Sequence, residues 1–326
     1  MPPKRDPVQD RIKAFNLKCD HSDPQTVQQL VRQQLGDPHC LMVARAAQVS
    51  SQRCFYDLEQ DLLKAYQRFL KNPVKKDPNC IAKGAIARAL VDLDCKDYTF
   101  FISGLHYRQK EPVWGGSVDT AVDVRVSCAM GLSQTSYPRA LIELVTAIHD
   151  PEEQVRIGAA RAMISTPPQA AEAVLRAKAL EKDPSINVTA EVLTALLHVA
   201  PEDALDFVSC FLENETDAEL IEAISFSLGE SRLDGALDVL RSCWNKQPLK
   251  RKQEEVFLKG AVFHRSEKAF SWLLDVVAEE DRASAVFIIN ELVIYRTNEK
   301  LKAQLQKKVL QRADDELTAH FHKVWD

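Results

Sequence analysis

The stretch DTAVDVRVSCAMGL at residues 119–132 aligns without a gap with the stretch DPEEQVRIGAARAM at residues 150–163. Each begins with aspartate, has valine five positions later and arginine six positions later, and continues with small and apolar residues at helical spacing. The two aspartates are 31 positions apart. A segment that recurs at this distance predicts a repeated structural unit.

Further copies of the same frame occur along the chain. A third copy begins at Asp183, with Thr189 in the place of the arginine, and a fourth begins at Asp217. Weaker copies begin at or near Asp37, Asp77, Leu249 and Asp281. A second apolar segment, such as YPRALIELVTAIH, lies between successive copies. A period of 31 to 42 residues with two helices in each repeat is typical of an α-solenoid.

The prolines favour helix starts rather than helix breaks. Six of the 15 prolines follow an aspartate. Aspartate is a good N-cap because its side chain accepts a hydrogen bond from a free helical N–H. Proline suits the first helical position because no N–H is needed there. We therefore expect a helix to start at each of Asp6, Asp23, Asp37, Asp77, Asp150 and Asp183.

The Asp-Pro-x-x-x-Val-Arg-x-x-Ala pattern resembles the HEAT repeat, a helical pair that also occurs in the HEAT-like repeats of phycobilin lyases. The resemblance covers roughly residues 20 to 295. The whole chain also resembles uncharacterised bacterial HEAT-repeat proteins, which place a similar GGSVDT loop before a VR helix. These resemblances imply an architecture and assign no activity.

In HEAT proteins the aspartate opens the second helix of each pair, and aspartate and arginine can form a ladder between neighbouring repeats. The resemblance implies such a ladder at Asp119, Arg125, Asp150 and Arg156. Thr189 interrupts it. The resemblance also implies that the second helices line the concave side of a right-handed superhelix.

We predict an all-α fold, an α-solenoid of about eight HEAT-like helical pairs. One pair cannot bury its apolar stripe alone, so neighbouring repeats must stack and share one core. Residues 21–326 are accordingly expected to form a single solenoid domain, preceded by an N-terminal segment or cap at residues 1–20. The chain has only 10 glycines in 326 residues, which agrees with long runs of helix.

The stretch EPVWGGSVDT at residues 111–120 interrupts this period. The start at Asp77 precedes the start at Asp119 by 42 residues, whereas later starts are 31 to 34 residues apart. The surplus falls at about residues 106–118 and contains the helix-disfavouring pairs Glu-Pro and Gly-Gly. It predicts an insertion loop between the two helices of one repeat, projecting from one face of the array.

Two hypotheses exist for the aromatic residues of the insertion. In the first, Tyr107 and Trp114 fold back and fill the gap between neighbouring repeats. In the second, Trp114 is an exposed anchor flanked by Arg108 and Lys110, which are residue types found in binding hot spots. A catalytic loop is disfavoured, because the double glycine lacks the strand and lysine spacing of a phosphate-binding loop.

Charge is distributed unevenly. Residues 1–110 carry 18 Lys and Arg against 12 Asp and Glu, whereas residues 201–240 carry eleven acids and a single base, Arg232. An acidic face containing Asp217, Glu219 and Glu222 would attract a partner with a basic or mixed-charge segment. The alternative is an ordinary solvated face.

Asn290 stands out for a different reason, because it interrupts the apolar run VFIINELVI. It is expected to be either a hydrogen-bonded core asparagine or a contact on the concave face.

The motifs of common enzymes are missing from the sequence, which contains no HExxH, GxSxG, GxxxxGK[ST] or GxGxxG. His39-Cys40 has no second pair to complete a zinc site, and the eight cysteines form no CxxC. We expect these cysteines to be small buried hydrophobes in a reduced protein. No catalytic residue, metal ligand or cofactor is predicted.

The start MPPKRDPVQDR has no apolar segment of a secretory signal, and no stretch approaches the roughly 20 apolar residues of a membrane span. These features predict a cytoplasmic protein without a membrane-spanning helix.

The leading hypothesis is a protein-interaction scaffold or adaptor that binds another protein along the concave face, rather than an enzyme. One alternative is an enzyme subunit or chromophore chaperone like the phycobilin lyases. A further alternative is a nucleic-acid enzyme like the HEAT-like DNA glycosylases. The net charge of −5 and the acid-rich second half argue against the last, because a phosphate backbone requires a basic groove.

Overall fold

The computed structural model describes residues 7–246 and 251–326, without the side chains of residues 251–254. Twenty α-helices and two short strands make up most of this part of the chain. The first ten helices are α1 (Pro7–His21), α2 (Pro24–Leu35), α3 (Cys40–Gln52), α4 (Glu59–Phe69), α5 (Pro73–Lys76), α6 (Ile81–Asp92), α7 (Tyr98–Leu105), α8 (Val122–Ser133), α9 (Ala140–Ala147) and α10 (Glu153–Met163). The last ten are α11 (Pro168–Glu181), α12 (Ile186–Val199), α13 (Asp203–Glu213), α14 (Ala218–Ser231), α15 (Asp234–Lys246), α16 (Arg251–His264), α17 (Glu267–Glu279), α18 (Arg282–Glu291), α19 (Glu299–Gln311) and α20 (Asp315–Trp325). The strands are β1 (Lys110–Val113) and β2 (Gly116–Asp119), and single turns of 3-10 helix occur at Tyr56–Leu58, Pro78–Cys80 and Leu292–Tyr295.

The contacts between Cα atoms divide the chain into two compact units. The first unit is Met1–Pro167 and the second unit is Pro168–Asp326. The expectation of one continuous domain over residues 21–326 stays a prediction.

Both units consist of consecutive helical pairs. The first unit contains the pairs α2/α3, α4/α6, α7/α8 and α9/α10, and the second contains α11/α12, α13/α14, α15/α16, α17/α18 and α19/α20. The second helix of each pair also packs on the second helix of the next pair within its unit. The all-α array of helical pairs is thus confirmed, with nine pairs in the described residues. Asn298 caps α19 and Asp314 caps α20, and neither start has the Asp-Pro-Val-Arg pattern, so this pair was not recognised as a repeat from the sequence.

The second helices of the pairs contribute many of the buried side chains in the core of each unit. In the first unit the buried side chains of Met42, Ile86 and Cys128 come from α3, α6 and α8. In the second unit the buried side chains of Leu193 and Ile224 come from α12 and α14. This arrangement buries apolar residues that no single pair could cover alone, as expected for stacked repeats.

Most of the helices that were expected to start at an Asp-Pro pair begin a few residues later. Asp23 is the N-cap of α2, as predicted, and its side chain accepts hydrogen bonds from the N–H groups of Gln25 and Thr26. At Asp37, Asp77, Asp150 and Asp183 the helix begins three or four residues further on. Three of these carboxylates accept the N–H two residues ahead, at His39, Glu152 and Ser185. This is a local Asx turn, which satisfies the aspartate before the helix begins. Asp6 and the weak repeat copy at Leu249 lie outside the described residues.

Six of the eight cysteines are buried, as expected. Cys54 and Cys210 are exposed, so the expectation was wrong for these two. Within the described part of the chain, no helix combines the length and the apolar character needed to cross a membrane.

Candidate interaction site

The inserted segment of the first unit forms a β-hairpin. β1 pairs with β2 in antiparallel register, with Lys110 opposite Asp119 and Val113 opposite Gly116. The turn therefore consists of Trp114 and Gly115, and Gly115 has a φ of +86°, a conformation that glycine adopts without strain. The sequence predicted a loop here. Each strand has only four residues, too few to show the alternating pattern by which strands are recognised.

The side chain of Trp114 is completely exposed at the tip of the hairpin, with a relative exposure of 104%. Val113 and Val118 beside it are each 46% exposed. The hypothesis that Trp114 folds back between repeats is therefore wrong. Tyr107 does fold back, because it is half-buried and its hydroxyl donates a hydrogen bond to Gln109 Oε1 at 2.8 Å. Burial raises the pKa of Tyr107.

A hydrogen-bond network fixes the base of the hairpin. Glu111 Oε1 accepts hydrogen bonds from Asn79 N, Thr120 Oγ1 and Gln109 Nε2, each at 2.7 Å. Burial, the largest influence, acts to raise the pKa of Glu111, but these hydrogen bonds outweigh it and hold the pKa below its usual value. The carboxylate is therefore the favoured form and a fixed acceptor, and the hairpin is tied to the start of α6.

A buried ion pair lies beneath this network. The side chains of Asp77 and Lys83 are both fully buried, and Lys83 Nζ is 2.8 Å from Asp77 Oδ2. Gln109 Nε2 donates to the carbonyl oxygen of Asp77 at 3.0 Å, which connects the pair to the hairpin. We did not predict this pair from the sequence. Its signal was an aspartate followed six residues later by a base, the same spacing as in the ladder, but with lysine instead of arginine.

Arg125 bridges two neighbouring repeats of the first unit. Its buried guanidinium donates to Asp119 Oδ2 at 2.7 Å through Nη1 and to Asp150 Oδ1 at 3.2 Å through Nη2. Nη1 also donates to the carbonyl oxygen of Tyr107 at 3.1 Å. Arg156 donates to the carbonyl oxygen of Asp150 at 2.9 Å. The four residues that the resemblance assigned to a ladder thus lie in contact, the last through the main chain.

Arg108 is less available than its sequence position indicates. It is exposed, but its guanidinium donates to Asp150 and lies 3.7 Å from Asp119. Its charge therefore belongs to the ladder rather than to the hairpin tip. The apolar tip of Trp114 and the two valines is accessible, and so is Lys110 at the start of β1.

The acidic stretch lies in the second unit, and lysines from neighbouring helices neutralise part of it. Four of its carboxylates form ion pairs, which join Glu213 to Lys246, Glu215 to Lys182, Glu222 to Lys259 and Asp234 to Lys268. The partners are 33 to 37 residues apart in sequence. Stacking of repeats brings residues one period apart side by side, so a charge count over a sequence window overstates the charge of the surface.

Asn290 is exposed and its Oδ1 lies 2.8 Å from His320 Nε2. The expectation of a core asparagine is therefore wrong, and the concave contact stays a hypothesis. The predicted contact residues are divided between the units, with Tyr107, Arg108 and Trp114 in the first unit and Asp217, Glu219, Glu222 and Asn290 in the second.

Asp217 is the N-cap of α14, and its Oδ1 accepts from Glu219 N at 2.9 Å and from Leu220 N at 3.3 Å. We expect Asp217→Ala to lower the free energy of unfolding by about 1 kcal/mol, measured by urea denaturation. Asp217→Asn keeps the acceptor and should be close to neutral, since asparagine caps helices as well as aspartate. An equal loss in both variants would show that the charge of Asp217, rather than the cap, stabilises α14.

Among residues 7–246 and 251–326, no group of three or more His, Cys, Asp or Glu side chains is placed to hold a metal ion. His39 caps α3, since its side chain accepts a hydrogen bond from Leu41 N.

No protein-family model matches the chain. No curated protein matches it in sequence. Among solved structures, the chain is similar to human deoxyhypusine hydroxylase in complex with glycerol, with 15% sequence identity and a TM-score of 0.30. The match covers 80% of this chain and 92% of that one. The helical-repeat architecture of this chain follows from the contacts between its own helices.

Proposed function

We propose that this protein is a HEAT-type scaffold of the cytoplasm that binds another protein, and that Trp114 is the anchor of that contact. The observation that carries the proposal is the complete exposure of Trp114 at the tip of a hairpin whose base is fixed by buried groups. A tryptophan in water leaves a large apolar surface unburied, and a pocket on a partner protein would cover it.

The hairpin also limits the entropic cost of binding. The backbone of Trp114 is held by strand pairing on both sides, and the base of the hairpin is held by Glu111 and Gln109. Little ordering is therefore needed when a partner binds, so more of the energy gained by burying the indole contributes to affinity. Val113 and Val118 provide apolar area around the anchor.

The proposed partner carries a basic or mixed-charge segment. In support, Glu219 and Glu230 are exposed on α14, and neither belongs to the four ion pairs with lysines. A basic segment would be attracted to them, and the attraction would weaken with salt.

We expect Trp114→Ala to weaken binding to the partner by at least about 30-fold, since anchor residues of this type cost 2 kcal/mol or more when truncated. The partner would first be isolated with the tagged wild-type protein and identified by mass spectrometry. Dissociation constants would then be measured for the purified pair.

Ile142→Ala is the matched control, because Ile142 is an exposed large hydrophobic residue of the same unit, 52% accessible on α9. It should bind the partner like the wild type. Both variants should keep the stability of the wild type within about 0.5 kcal/mol, because neither side chain is buried. Unchanged affinity of Trp114→Ala for the isolated partner would refute the anchor role.

A further inference from the structure

Two phenylalanines of the second unit form a partly exposed aromatic pair. Phe226 of α14 and Phe263 of α16 have ring centroids 4.0 Å apart and an interplanar angle of 36°. Both side chains are half-buried. Part of each ring is therefore accessible to a ligand.

Carboxylates flank this pair along α14. Glu222 lies one helical turn before Phe226 and Glu230 lies one turn after it, so the three side chains share one face of the helix. Glu219 continues the same face towards the N-terminus of α14, where it is exposed. The face thus has one aromatic ring between carboxylates over three turns.

Lys259 of α16 shows how this face accommodates a cation. Its Nζ is 3.0 Å from Glu222 Oε1 and 5.9 Å from the centroid of the Phe226 ring. The hydrogen bond to Glu222 is the largest influence on the pKa of Lys259 and raises it, while burial opposes this effect. The lysine therefore stays protonated against the ring and the carboxylate. The Lys259 side chain is one third exposed, so a competing cation can reach the Glu222 carboxylate that Lys259 contacts.

We propose that the α14–α16 face, defined by Phe226, Phe263, Glu222 and Glu230, binds an arginine side chain from a basic segment of a partner protein. Guanidinium is the cation that fits best. It is planar and stacks on aromatic rings, it bonds carboxylates through two N–H groups, and it is less strongly hydrated than ammonium. The incoming arginine takes the place of Lys259 beside Glu222 and Phe226.

The inference rests on the proposed function in taking the ligand to be a basic segment of a partner protein. It uses no residue of the hairpin and no residue of the first unit. Binding at this face and anchoring by Trp114 can therefore fail independently of each other.

Two labelled peptides test the proposal, one of six arginines and one of six lysines, both acetylated and amidated. Their dissociation constants from the full-length protein would be measured by fluorescence anisotropy at one fixed ionic strength. Long-range attraction by acidic groups treats the two peptides alike because their charges are equal, whereas ring stacking and paired N–H bonds to carboxylates favour arginine. The aromatic pair is expected to make the arginine peptide bind about 2- to 5-fold more tightly.

Three variants decide where this preference arises. Phe226→Leu keeps an apolar side chain but removes the ring, and should lower the ratio of the two affinities to the part that the carboxylates alone contribute. Phe211→Leu replaces a half-buried ring on α13 that lies against Phe207, and should leave the ratio unchanged. Lys259→Met removes the competing cation from a partly exposed position and should strengthen binding of the arginine peptide several-fold.

Equal affinities of the two peptides for the wild type would overturn the proposal, as would an arginine preference that is as large in Phe226→Leu as in the wild type. Weaker binding of the arginine peptide to Lys259→Met would overturn the displacement of Lys259. Circular dichroism would establish that each variant is folded. The outcome of the Trp114→Ala experiment leaves these measurements unchanged, because neither peptide needs the hairpin.

Discussion

Replacing Arg125 with methionine is expected to lower the free energy of unfolding by about 3–5 kcal/mol, the largest effect that we predict. The Arg125 side chain is fully buried and bonded to Asp119 and Asp150, whose side chains are 9% and 3% exposed. Without the buried guanidinium, the two nearly buried carboxylates keep only the partly exposed Arg108 as a counterion. Methionine fills a similar volume, so the loss arises from the weaker charge compensation rather than from a cavity.

Urea denaturation followed by circular dichroism would measure this loss, with Arg88→Met as the control. Arg88 is exposed on α6 of the same unit, and its replacement should change the free energy of unfolding by no more than about 0.5 kcal/mol. Hydrogen exchange would show whether the amides of α8 and α10 lose protection first. This result is expected if Arg125 holds the repeats of these two helices together. Similar losses in both variants would mean that the bridge adds nothing to stability.

The effect of Arg125→Met should depend on pH. Burial acts to raise the pKa of Asp119, but hydrogen bonds from Ala121 and Gln109 and the charge of Arg125 outweigh it and lower the pKa. A lowered pKa in the folded state stabilises the protein above the unfolded value of about 3.9, and this stabilisation is lost as the pH falls through the folded pKa. The difference between wild type and variant should therefore shrink below about pH 4.

The ladder was accessible to sequence analysis because its determinants are local. Asp119 and Arg125 belong to one repeat and keep a fixed spacing of six residues, so two aligned copies were enough to reveal them. Lys83 kept the spacing but changed the residue type, and was missed. The delayed helix starts were missed for a related reason, since an aspartate that closes an Asx turn looks in sequence like one that caps a helix.

The features of the candidate site depend on contacts that are distant in sequence. The exposure of Trp114 depends on whether neighbouring residues of its repeat pack against the indole, and from the sequence alone both a buried and an exposed Trp114 were possible. The pairing of Glu222 with Lys259 depends on the stacking of adjacent repeats. The contact of Phe226 with Phe263 has the same origin. A periodic pattern predicts which helices stack, but not which side chains meet, because one residue of shift along a helix turns a side chain by about 100°.

The close contact of α14 with α16 leads to the second large effect. A Cβ atom at Gly229 would lie 2.1 Å from the carbonyl oxygen of Gly260 and 3.0 Å from its carbonyl carbon. These are backbone atoms and cannot rotate away, so Gly229→Ala must push the two helices apart. Overpacking of this kind costs about 1–3 kcal/mol, and we expect a loss near the upper end. The gain of about 1 kcal/mol in helix propensity offsets only part of the clash.

Gly116→Ala is the matched control in the same urea measurement, because a Cβ atom there would have no neighbour within 4 Å. It should leave the free energy of unfolding almost unchanged. If Gly229→Ala were equally neutral, α14 and α16 would be free to adjust their distance, and the Phe226–Phe263 pair would not be held in place. If it destabilises as expected, separation of the helices should also weaken that pair. The arginine preference would then fall in Gly229→Ala although no residue of the α14–α16 face has been changed.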